Sequence, residues 1–325
     1  MPPLITFYGD DFTGATAVME VLSFAGIETI LFLDAPDPSV LAQHPDVQAV
    51  GVAGIARSKD PAWMDRHLPP VFEALNALGA PILHYKVCST FDSSPTIGSI
   101  GKATEIGAAV RPGRWIPLVV GAPAIGRYQV FGNLFAAAGE GVFRLARHPV
   151  MARHPITPMA EADLGRHLSA QTDLPVSTIS LAAMKSGDSD AVLAQHVADG
   201  AVIIALDVAD DDTLRHAGRL IWQGGTTPVF AVGSQGVEYA LVAHWRAQGD
   251  LPAARAAPAL TPVDQLFAVS GSVAPITAEQ IAVAEAQSFH IIPVQAATAA
   301  DEASLRAECE RALAAALSAL SDGHD

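Results

Sequence analysis

Half of the 325 residues are hydrophobic, which is enough apolar material for a large buried core and, at this length, for two domains. The 34 acidic residues outnumber 19 Lys and Arg and give a net charge of −15, so the chain lacks the basic surplus that binds nucleic acids or anionic membranes. Two cysteines are too few for a disulfide framework or a structural zinc site, and there is no cleavable signal and no 18-residue apolar span. These features predict a soluble, cytoplasmic protein.

The N-terminal stretch begins with a short apolar strand at 4–8, followed by the adjacent carboxylates Asp10 and Asp11. Apolar residues then recur with helical spacing, which predicts a helix with Thr13 as its N-cap and Gly26 at its end. In an open α/β sheet, ligands bind at the carboxyl ends of strands, which is where the aspartates lie. Capping the helix would need only one of them. Two adjacent carboxylates favour a site in which a cation, a hydroxyl donor or a basic group meets them.

Strands alternate with helix-sized segments through most of the chain, which predicts an α/β fold with a doubly wound, mainly parallel sheet. The predicted strands after the first are 29–33, 47–53, 81–87, 116–120, 201–207 and 228–232, and the predicted helices include 61–79 and 96–110. Residues 121–158 lack clean periodicity and are interpreted as a long loop. A loop of that length inside a compact domain is usually functional.

An Ala- and Pro-rich stretch at 247–262 is interpreted as a linker between a first domain, 1–246, and a second, 263–325. The second is predicted to contain strands at 266–269 and 290–294, a helix from about Thr277 and a helix at 301–321. The turn Ser270-Gly271-Ser272 follows the first of these strands. Small residues at such a turn let backbone N–H groups approach phosphate oxygens, although many turns of this kind are rich in Gly and Ser without binding a ligand.

A cation and several hydroxyls follow the predicted strand at 81–87. If this strand lies beside the first one, Lys86 meets the aspartate pair or a substrate carboxylate, while Ser89 and Thr90 donate to substrate hydroxyls. From the residues alone, a solvated loop with a snorkelling lysine is the preferred explanation of the segment. Further on, Arg127 lies on a glycine-flanked turn, where a guanidinium either forms two hydrogen bonds to a carboxylate or phosphate or simply faces solvent.

Two other kinds of site are not supported. His148 and His154 are separated by prolines without a metal-ligand spacing, and no protein metal site is predicted. No dinucleotide-type glycine fingerprint follows the first strand, which argues against a dehydrogenase.

Several segments resemble the four-carbon acid sugar kinase family, formerly a domain of unknown function. GDDFTGA resembles the family's N-terminal signature, the Lys86 segment its YKK-x-DSTLRGN element, and the Arg127 segment its Pro-x-x-Gly-Arg element. Residues 153–159 resemble a DPLTP element, and VSGSVAPITAEQ resembles the segment that opens the family's ATP-binding domain. Cys88 and the missing arginine after Thr90 depart from the usual pattern. They resemble a subgroup whose substrate is branched or oxidised, such as 3-oxo-isoapionate.

The resemblance implies an ATP-dependent kinase, with Mg²⁺ accompanying ATP, that phosphorylates a terminal hydroxyl of a four- or five-carbon acid sugar such as a tetronate, 3-oxo-tetronate or 3-oxo-isoapionate. The first domain would hold the sugar acid and the second the nucleotide, with the reaction in the cleft between them. The implied roles are a base for Asp10 or Asp11, carboxylate binding for Lys86 and Arg127, hydroxyl binding for Ser89 and Thr90, and phosphate binding for Ser270, Gly271, Ser272 and Thr277.

Family members continue to a glycine-rich GG-D/E-T turn that is not found in 296–325, so the nucleotide domain is expected to be incomplete in this sequence. The alternative is a non-catalytic sugar-acid-binding or effector protein that lacks a complete nucleotide site. The expected partner is a small-molecule acid sugar, with no nucleic acid and no membrane, and a homodimer is possible. The substrate, the phosphorylated hydroxyl and the choice between the two aspartates stay open.

Overall fold

The computed structural model describes residues 2–251, 261–272, 275–295 and 301–324. Contacts between Cα atoms divide the chain into two compact units, Met1–Ala257 and Pro258–Asp325. Most of the predicted linker falls at 252–260, outside the described residues.

The first unit is built on an eight-stranded sheet. In spatial order its strands are β2 Thr29–Phe32, β3 Ala49–Ala53, β1 Ile5–Gly9, β4 Ile82–Lys86, β11 Val229–Gly233, β5 Ile116–Val119, β10 Ile203–Leu206 and β9 Val176–Ile179. Every neighbouring pair in this sheet is parallel. The prediction of a doubly wound, mainly parallel sheet is confirmed.

Helices cover both faces of the sheet. One face is packed by α1 Phe12–Phe24, α6 Leu181–Ser186, α7 Ser189–Ala198, α8 Asp211–Trp222 and α9 Gly236–Gln248, and the other by α3 Pro61–Ala77, α4 Ile100–Val110 and α5 Leu164–Ser169. The short helix α2 Pro38–Leu41 follows β2. Because helices cover both faces, the central strands are buried along their whole length, which explains their continuous apolar sequences.

The cap of α1 differs from the predicted one. Asp11, not Thr13, is the N-cap: its backbone is extended and its Oδ1 accepts the N–H of Gly14 at 2.8 Å. The prediction is wrong because the helix already begins at Phe12, which places Thr13 in the first turn. At the other end Gly26 adopts a φ of 92°, so its predicted role in ending the helix is confirmed.

The order of the strands reverses between β1 and β4. The chain passes from β1 to β2 and β3 on one side, and α3 then crosses the opposite face to β4 and the later strands. Gly9 pairs with Lys86, and the N–H of Asp10 donates to the carbonyl of Lys86 at 3.0 Å. The adjacency of the two strands, on which the interpretation of Lys86 depended, is confirmed. In open sheets of this kind, the crevice at such a switch point is the usual place for a ligand.

Residues 121–158 contain a small antiparallel sheet rather than a loop alone. Its strands are β6 Arg127–Val130, β7 Asn133–Ala138 and β8 Gly141–Arg144. Phe131 and Gly132 form the first turn with positive φ angles of 49° and 72°, and the carboxylate of Asp207 accepts the backbone N–H of both. The loop interpretation is wrong because strands of four to six residues are too short to show clear alternation.

The described residues of the second unit form two helices, α10 Pro275–Ala286 and α11 Glu302–Ser321, close to their predicted positions. In the described part of this unit, the strands predicted at 266–269 and 290–294 are not formed. A strand needs a neighbour to satisfy its backbone, and a short apolar run alone does not guarantee one. No described helix is long and apolar enough to cross a membrane.

Candidate active site

A cavity of about 330 Å³ lies in the first unit, at the carboxyl ends of β1 and β3. It is lined by Asp10, Asp11, Phe12, Gly54, Ile55, Arg57, Ser58, Asp92, His154, Ile156 and Thr157. Three of these are carboxylates, while a guanidinium, two hydroxyls and an imidazole supply the hydrogen-bond donors. The large apolar side chains of the lining are exposed, which suits a cavity that takes a small, oxygen-rich ligand from solvent.

Arg57 contacts both aspartates through its guanidinium. Its Nη2 donates to Oδ1 of Asp10 at 2.6 Å and to Oδ1 of Asp11 at 2.7 Å, its Nε to Oδ2 of Asp10 at 3.2 Å, and its Nη1 to Oδ2 of Asp11 at 2.9 Å. Every oxygen of the pair therefore receives a charge-assisted hydrogen bond. The guanidinium offsets the repulsion between adjacent carboxylates, so the basic group that meets the pair is Arg57.

The two aspartates differ in access. The side chain of Asp10 is 1% exposed and that of Asp11 is 28% exposed. Burial raises the pKa of Asp10 above its ordinary value, while Arg57 and then Lys86 act in the opposite direction. Burial also lowers the pKa of Arg57, but the two carboxylates outweigh it and hold the guanidinium charged. Asp11 is consequently the carboxylate that a ligand can reach.

Gly14 allows Asp11 and Lys86 to approach the same point of α1. A Cβ at position 14 would lie 2.4 Å from Oδ1 of Asp11 and 2.8 Å from Nζ of Lys86, closer than side-chain atoms pack. Lys86 is 2% exposed, and its Nζ donates to the carbonyl of Val87 at 2.6 Å. Its charge therefore lies close to the aspartates but outside the cavity lining.

The turn after β4 brings a third carboxylate, Asp92, to the cavity. Phe91 is fully buried with a φ of 58°, an uncommon backbone conformation for a bulky residue, and it turns the chain sharply before Asp92. Oγ1 of Thr90 donates to Oδ1 of Asp92 at 2.7 Å and lies 3.0 Å from Sγ of Cys88. Thr90 thus positions Asp92 and does not line the cavity, and Ser89 is half-buried outside the lining. Burial, followed by the charge of Asp92, raises the pKa of the Cys88 thiol.

Arg127 begins β6 and has no carboxylate partner among the described residues. Its Nη1 donates to the carbonyls of Ile125 and Gly126 at 3.2 and 3.3 Å, while its buried Nε has no partner. Burial lowers the pKa of Arg127, whereas Cys88 and Asp92 raise it, so the guanidinium lies within electrostatic reach of the turn that follows β4. Arg127 is not among the residues that line the cavity, and because its Nε is buried, a ligand carboxylate would meet its Nη atoms.

Nine of the eleven lining residues were not predicted as site residues, and five of the nine have polar side chains: Arg57, Ser58, Asp92, His154 and Thr157. Arg57 left one usable signal, because it is the first cation after the strand at 47–53, and that strand neighbours β1. Asp92 lies two residues after Thr90, in the polar segment that follows Lys86. His154 and Thr157 belong to the segment that resembles the DPLTP element.

The predicted nucleotide-binding residues lie in the second unit. Ser270, Gly271 and Ser272 are exposed, and nothing lies within 4 Å of a Cβ built on Gly271. Oγ1 of Thr277 donates to Oγ of Ser272 at 2.9 Å. Their role at a nucleotide phosphate stays a prediction, as do the substrate roles of Lys86, Ser89, Thr90 and Arg127.

In the described part of the chain no group of three or more His, Cys, Asp or Glu side chains could hold a metal ion.

A family model for the sugar-binding N-terminal domain matches residues 5–241. The chain belongs to this family. The matched range contains every residue that lines the cavity, together with Lys86 and Arg127. The sugar-binding domain and the cavity at its switch point therefore coincide in one part of the chain.

Relatives of this sugar-binding domain are acid sugar kinases. The chain is 48% identical over 320 residues to 3-oxo-isoapionate kinase of Paraburkholderia graminis, and the match covers 98% of this chain and 68% of the relative. It is 31% identical over 300 residues to 3-oxo-tetronate kinase of Burkholderia multivorans, covering 91% of this chain and 67% of the relative. The resemblance to the four-carbon acid sugar kinase family is confirmed, and the chain spans about two thirds of the length of these relatives.

Solved structures agree on the fold. A Salmonella typhimurium LT2 protein named as a tRNA synthase superposes with a TM-score of 0.73 at 24% identity, covering 94% of this chain and 70% of its own. A Bordetella bronchiseptica DUF1537 protein, a domain-swapped dimer with bound citrate, superposes with a TM-score of 0.59 at 21% identity, covering 96% of this chain and 71% of its own.

Proposed function

We propose that this chain belongs to an ATP-dependent kinase that phosphorylates a terminal hydroxyl of a short acid sugar, and that the cavity of the first unit holds that sugar. The substrates named for its relatives, 3-oxo-isoapionate and 3-oxo-tetronate, are the first candidates. The observation that carries the proposal is the pair Asp10 and Asp11, held by Arg57 at the switch point of a sugar-binding domain.

Asp11 is the residue proposed to orient the reacting hydroxyl. Its Oδ1 already accepts hydrogen bonds from Gly14 and Arg57, and its Oδ2 accepts one from Arg57. A carboxylate oxygen has two lone pairs, so Oδ2 retains one for a substrate O–H. Arg57 keeps the carboxylate weakly basic, which is compatible with phosphoryl transfer because that reaction depends more on alignment than on a strong base. Asp10 supports Asp11 indirectly by holding Arg57.

Arg127 and Lys86 are proposed to attract the acid group of the substrate. The cavity is lined by the carboxylates of Asp10, Asp11 and Asp92 and by the guanidinium of Arg57, while Lys86 and Arg127 lie outside its lining. Four of the five N–H groups of Arg57 donate to the aspartates, whereas the guanidinium of Arg127 has no carboxylate partner among the described residues. The substrate carboxylate is therefore expected on the Arg127 side and the reacting hydroxyl on the Asp11 side.

ATP and Mg²⁺ are part of the proposal through the kinase relatives. In the described residues no group of three or more His, Cys, Asp or Glu side chains could hold Mg²⁺, and Ser270 to Ser272 are exposed. When bound, Mg²⁺ neutralises phosphate charge and takes most of its ligands from phosphates and water, so a dedicated protein cage is not required. Use of ATP also suggests action in the cytoplasm, and the domain-swapped relative makes a homodimer a reasonable assembly to test by solution mass measurement.

The test is an ATP-dependent phosphorylation screen over four- and five-carbon sugar acids, with products identified by phosphorus NMR. Wild-type chain and Asp11→Asn are compared. A phosphorylated 3-oxo acid formed only by wild type supports the proposal. Saturable acid binding without product supports the alternative of a sugar-acid-binding protein when it persists in a protein that also carries the remaining third of the kinase relatives' length. Neither binding nor product with any acid in the panel contradicts both.

A further inference from the structure

His154 lies on the wall of the cavity at the end of a short helical turn, Met151–Arg153. Its Nδ1 accepts the backbone N–H of Thr157 at 3.1 Å and lies 3.0 Å from Oγ1 of the same residue. A backbone N–H can only donate, so Nδ1 carries no proton. The imidazole is therefore neutral, with its single proton on Nε2. The fold thus supplies the cavity with a neutral, donor-only N–H group.

His148, in the same segment, has the same arrangement of an imidazole Nδ1 that accepts backbone N–H groups, and there the ring has only a structural role. In His148-Pro149 the imidazole Nδ1 accepts the N–H groups of Val150 and Met151, both at 3.2 Å. That ring is 6% exposed, and it also hydrogen-bonds the backbone of Ala137, so it is fully used by the protein. His154 repeats the local arrangement, but no described residue is a partner for its Nε2, and the side chain is half-buried at the cavity.

We infer that His154 is a specificity-determining residue whose Nε2–H donates to the ketone oxygen of a 3-oxo acid sugar. This inference rests on the proposed function and names the residue of the same cavity that would recognise the 3-oxo group. A substrate carboxylate would favour a cation, and Arg127 provides one. A ketone oxygen is neutral and accepts only, so it matches a neutral group that donates only.

Discrimination against the reduced substrate follows from the same chemistry. A hydroxyl in place of the ketone can still accept from Nε2–H, but its own proton finds no acceptor on the imidazole. A polar hydrogen that loses its water without gaining a partner costs binding free energy. The proton of such a hydroxyl would have to be accepted by a cavity carboxylate or by water, so the imidazole itself favours the 3-oxo acid over the corresponding 3-hydroxy acid.

Two near-isosteric variants separate this role from a structural one. The side-chain oxygen of His154→Asn takes the place of Nδ1 and keeps the acceptor for Thr157, but removes the donor at the cavity. The side-chain nitrogen of His154→Gln takes the place of Nε2 and keeps that donor, but loses the acceptor for Thr157. A purely structural histidine would tolerate Asn better than Gln, whereas a substrate-binding one would tolerate Gln better than Asn.

The experiment is calorimetric titration of the full chain with a 3-oxo acid sugar and with its 3-hydroxy analogue, for wild type and both variants. We expect His154→Asn to weaken binding of the 3-oxo acid about three- to tenfold and to reduce the preference over the hydroxy acid, with His154→Gln closer to wild type. Nitrogen NMR of the wild-type ring should show the proton on Nε2.

The inference would be overturned if His154→Gln bound the 3-oxo acid more weakly than His154→Asn, or if His154→Asn kept the wild-type preference for the 3-oxo acid over the 3-hydroxy acid. In either case, acid binding by wild type would still uphold the proposed function. Absence of any acid binding by wild type would instead overturn the proposed function on which the inference rests. Equal melting temperatures of the two variants confirm that both are folded, and unequal ones are resolved by comparing affinities at a temperature where both are native.

Discussion

Replacing Arg57 with methionine should destabilise the first unit by about 3–5 kcal/mol at neutral pH, the usual result of removing one partner from a buried ion pair. Methionine keeps much of the length and apolar volume of the side chain but removes all four hydrogen bonds to the aspartates. Asp10 is only 1% exposed, so water cannot replace the lost partner. Lys86 is the nearest remaining cation and already donates to a carbonyl.

The loss should depend on pH, with a definite sign. Burial already raises the pKa of Asp10, and in Arg57→Met the main opposing charge is gone, so the folded-state pKa moves further above the unfolded value. When the pKa of a carboxyl is higher in the folded state than in the unfolded state, its contribution to the free energy of unfolding is fully present at pH values below the unfolded-state pKa. That contribution is lost as the pH rises through the folded-state pKa. The deficit of the variant should therefore be smaller at about pH 5.5 than at about pH 8, and Arg57→Met/Asp10→Asn should recover part of the loss.

The assay is urea unfolding followed by tryptophan fluorescence. All four tryptophans, Trp63, Trp115, Trp222 and Trp245, belong to the first unit, so the signal reports that unit. The matched control is Arg219→Met, which breaks an equally short but exposed pair with Asp190, 2.6 Å apart, and should cost less than about 1 kcal/mol. An Arg57→Met deficit as small as the control's, or one that does not change with pH, would refute the reasoning.

Three further predictions concern the cavity. Asp11→Asn keeps a good N-cap but removes the charge, so we expect a loss of phosphorylation rate of about 10²-fold with little change in melting temperature, and an unchanged rate would contradict its role. Arg127→Lys should weaken acid-sugar binding about tenfold in calorimetry, because lysine cannot form the bidentate contact, and an equal effect on the matching sugar alcohol would exclude carboxylate binding. Gly14→Ala should reduce acid binding, because the added Cβ would meet the side chains of Asp11 and Lys86, even though alanine favours a helix more than glycine does. The control is Gly165→Ala, whose added Cβ would have its nearest contact at 3.4 Å and should leave acid binding unchanged.

The parts of the site that follow from local pattern could be predicted from the sequence. An apolar run, two aspartates and helical spacing are enough to place Asp10 and Asp11 between a strand and a helix at the ligand-binding edge of a parallel sheet. The parallel alternation of strands and helices likewise placed Lys86 at the end of a strand that proved adjacent to β1.

The parts that depend on tertiary pairing could not be predicted. Arg57 is 47 residues from Asp10 along the chain, and only the order β3-β1-β4 brings it to the aspartates. The predicted cap failed for a local reason, because the helix begins at Phe12 and Asp11 therefore takes the cap position. The strands predicted at 266–269 and 290–294 had suitable composition but depended on partners that no local pattern specifies.

The central claim is that the acid sugar binds in the cavity of the first unit with its reacting hydroxyl at Asp11, and that its carboxylate extends beyond the cavity lining to Arg127. Calorimetric titration of the wild-type chain with 3-oxo-tetronate, and with the analogue in which the carboxylate is reduced to an alcohol, tests it most directly. We predict saturable binding of the acid below about 1 mM, the upper end of common KM values, and at least about tenfold weaker binding of the alcohol. Equal affinity for the two compounds, or no binding of any four- or five-carbon acid, would contradict the account.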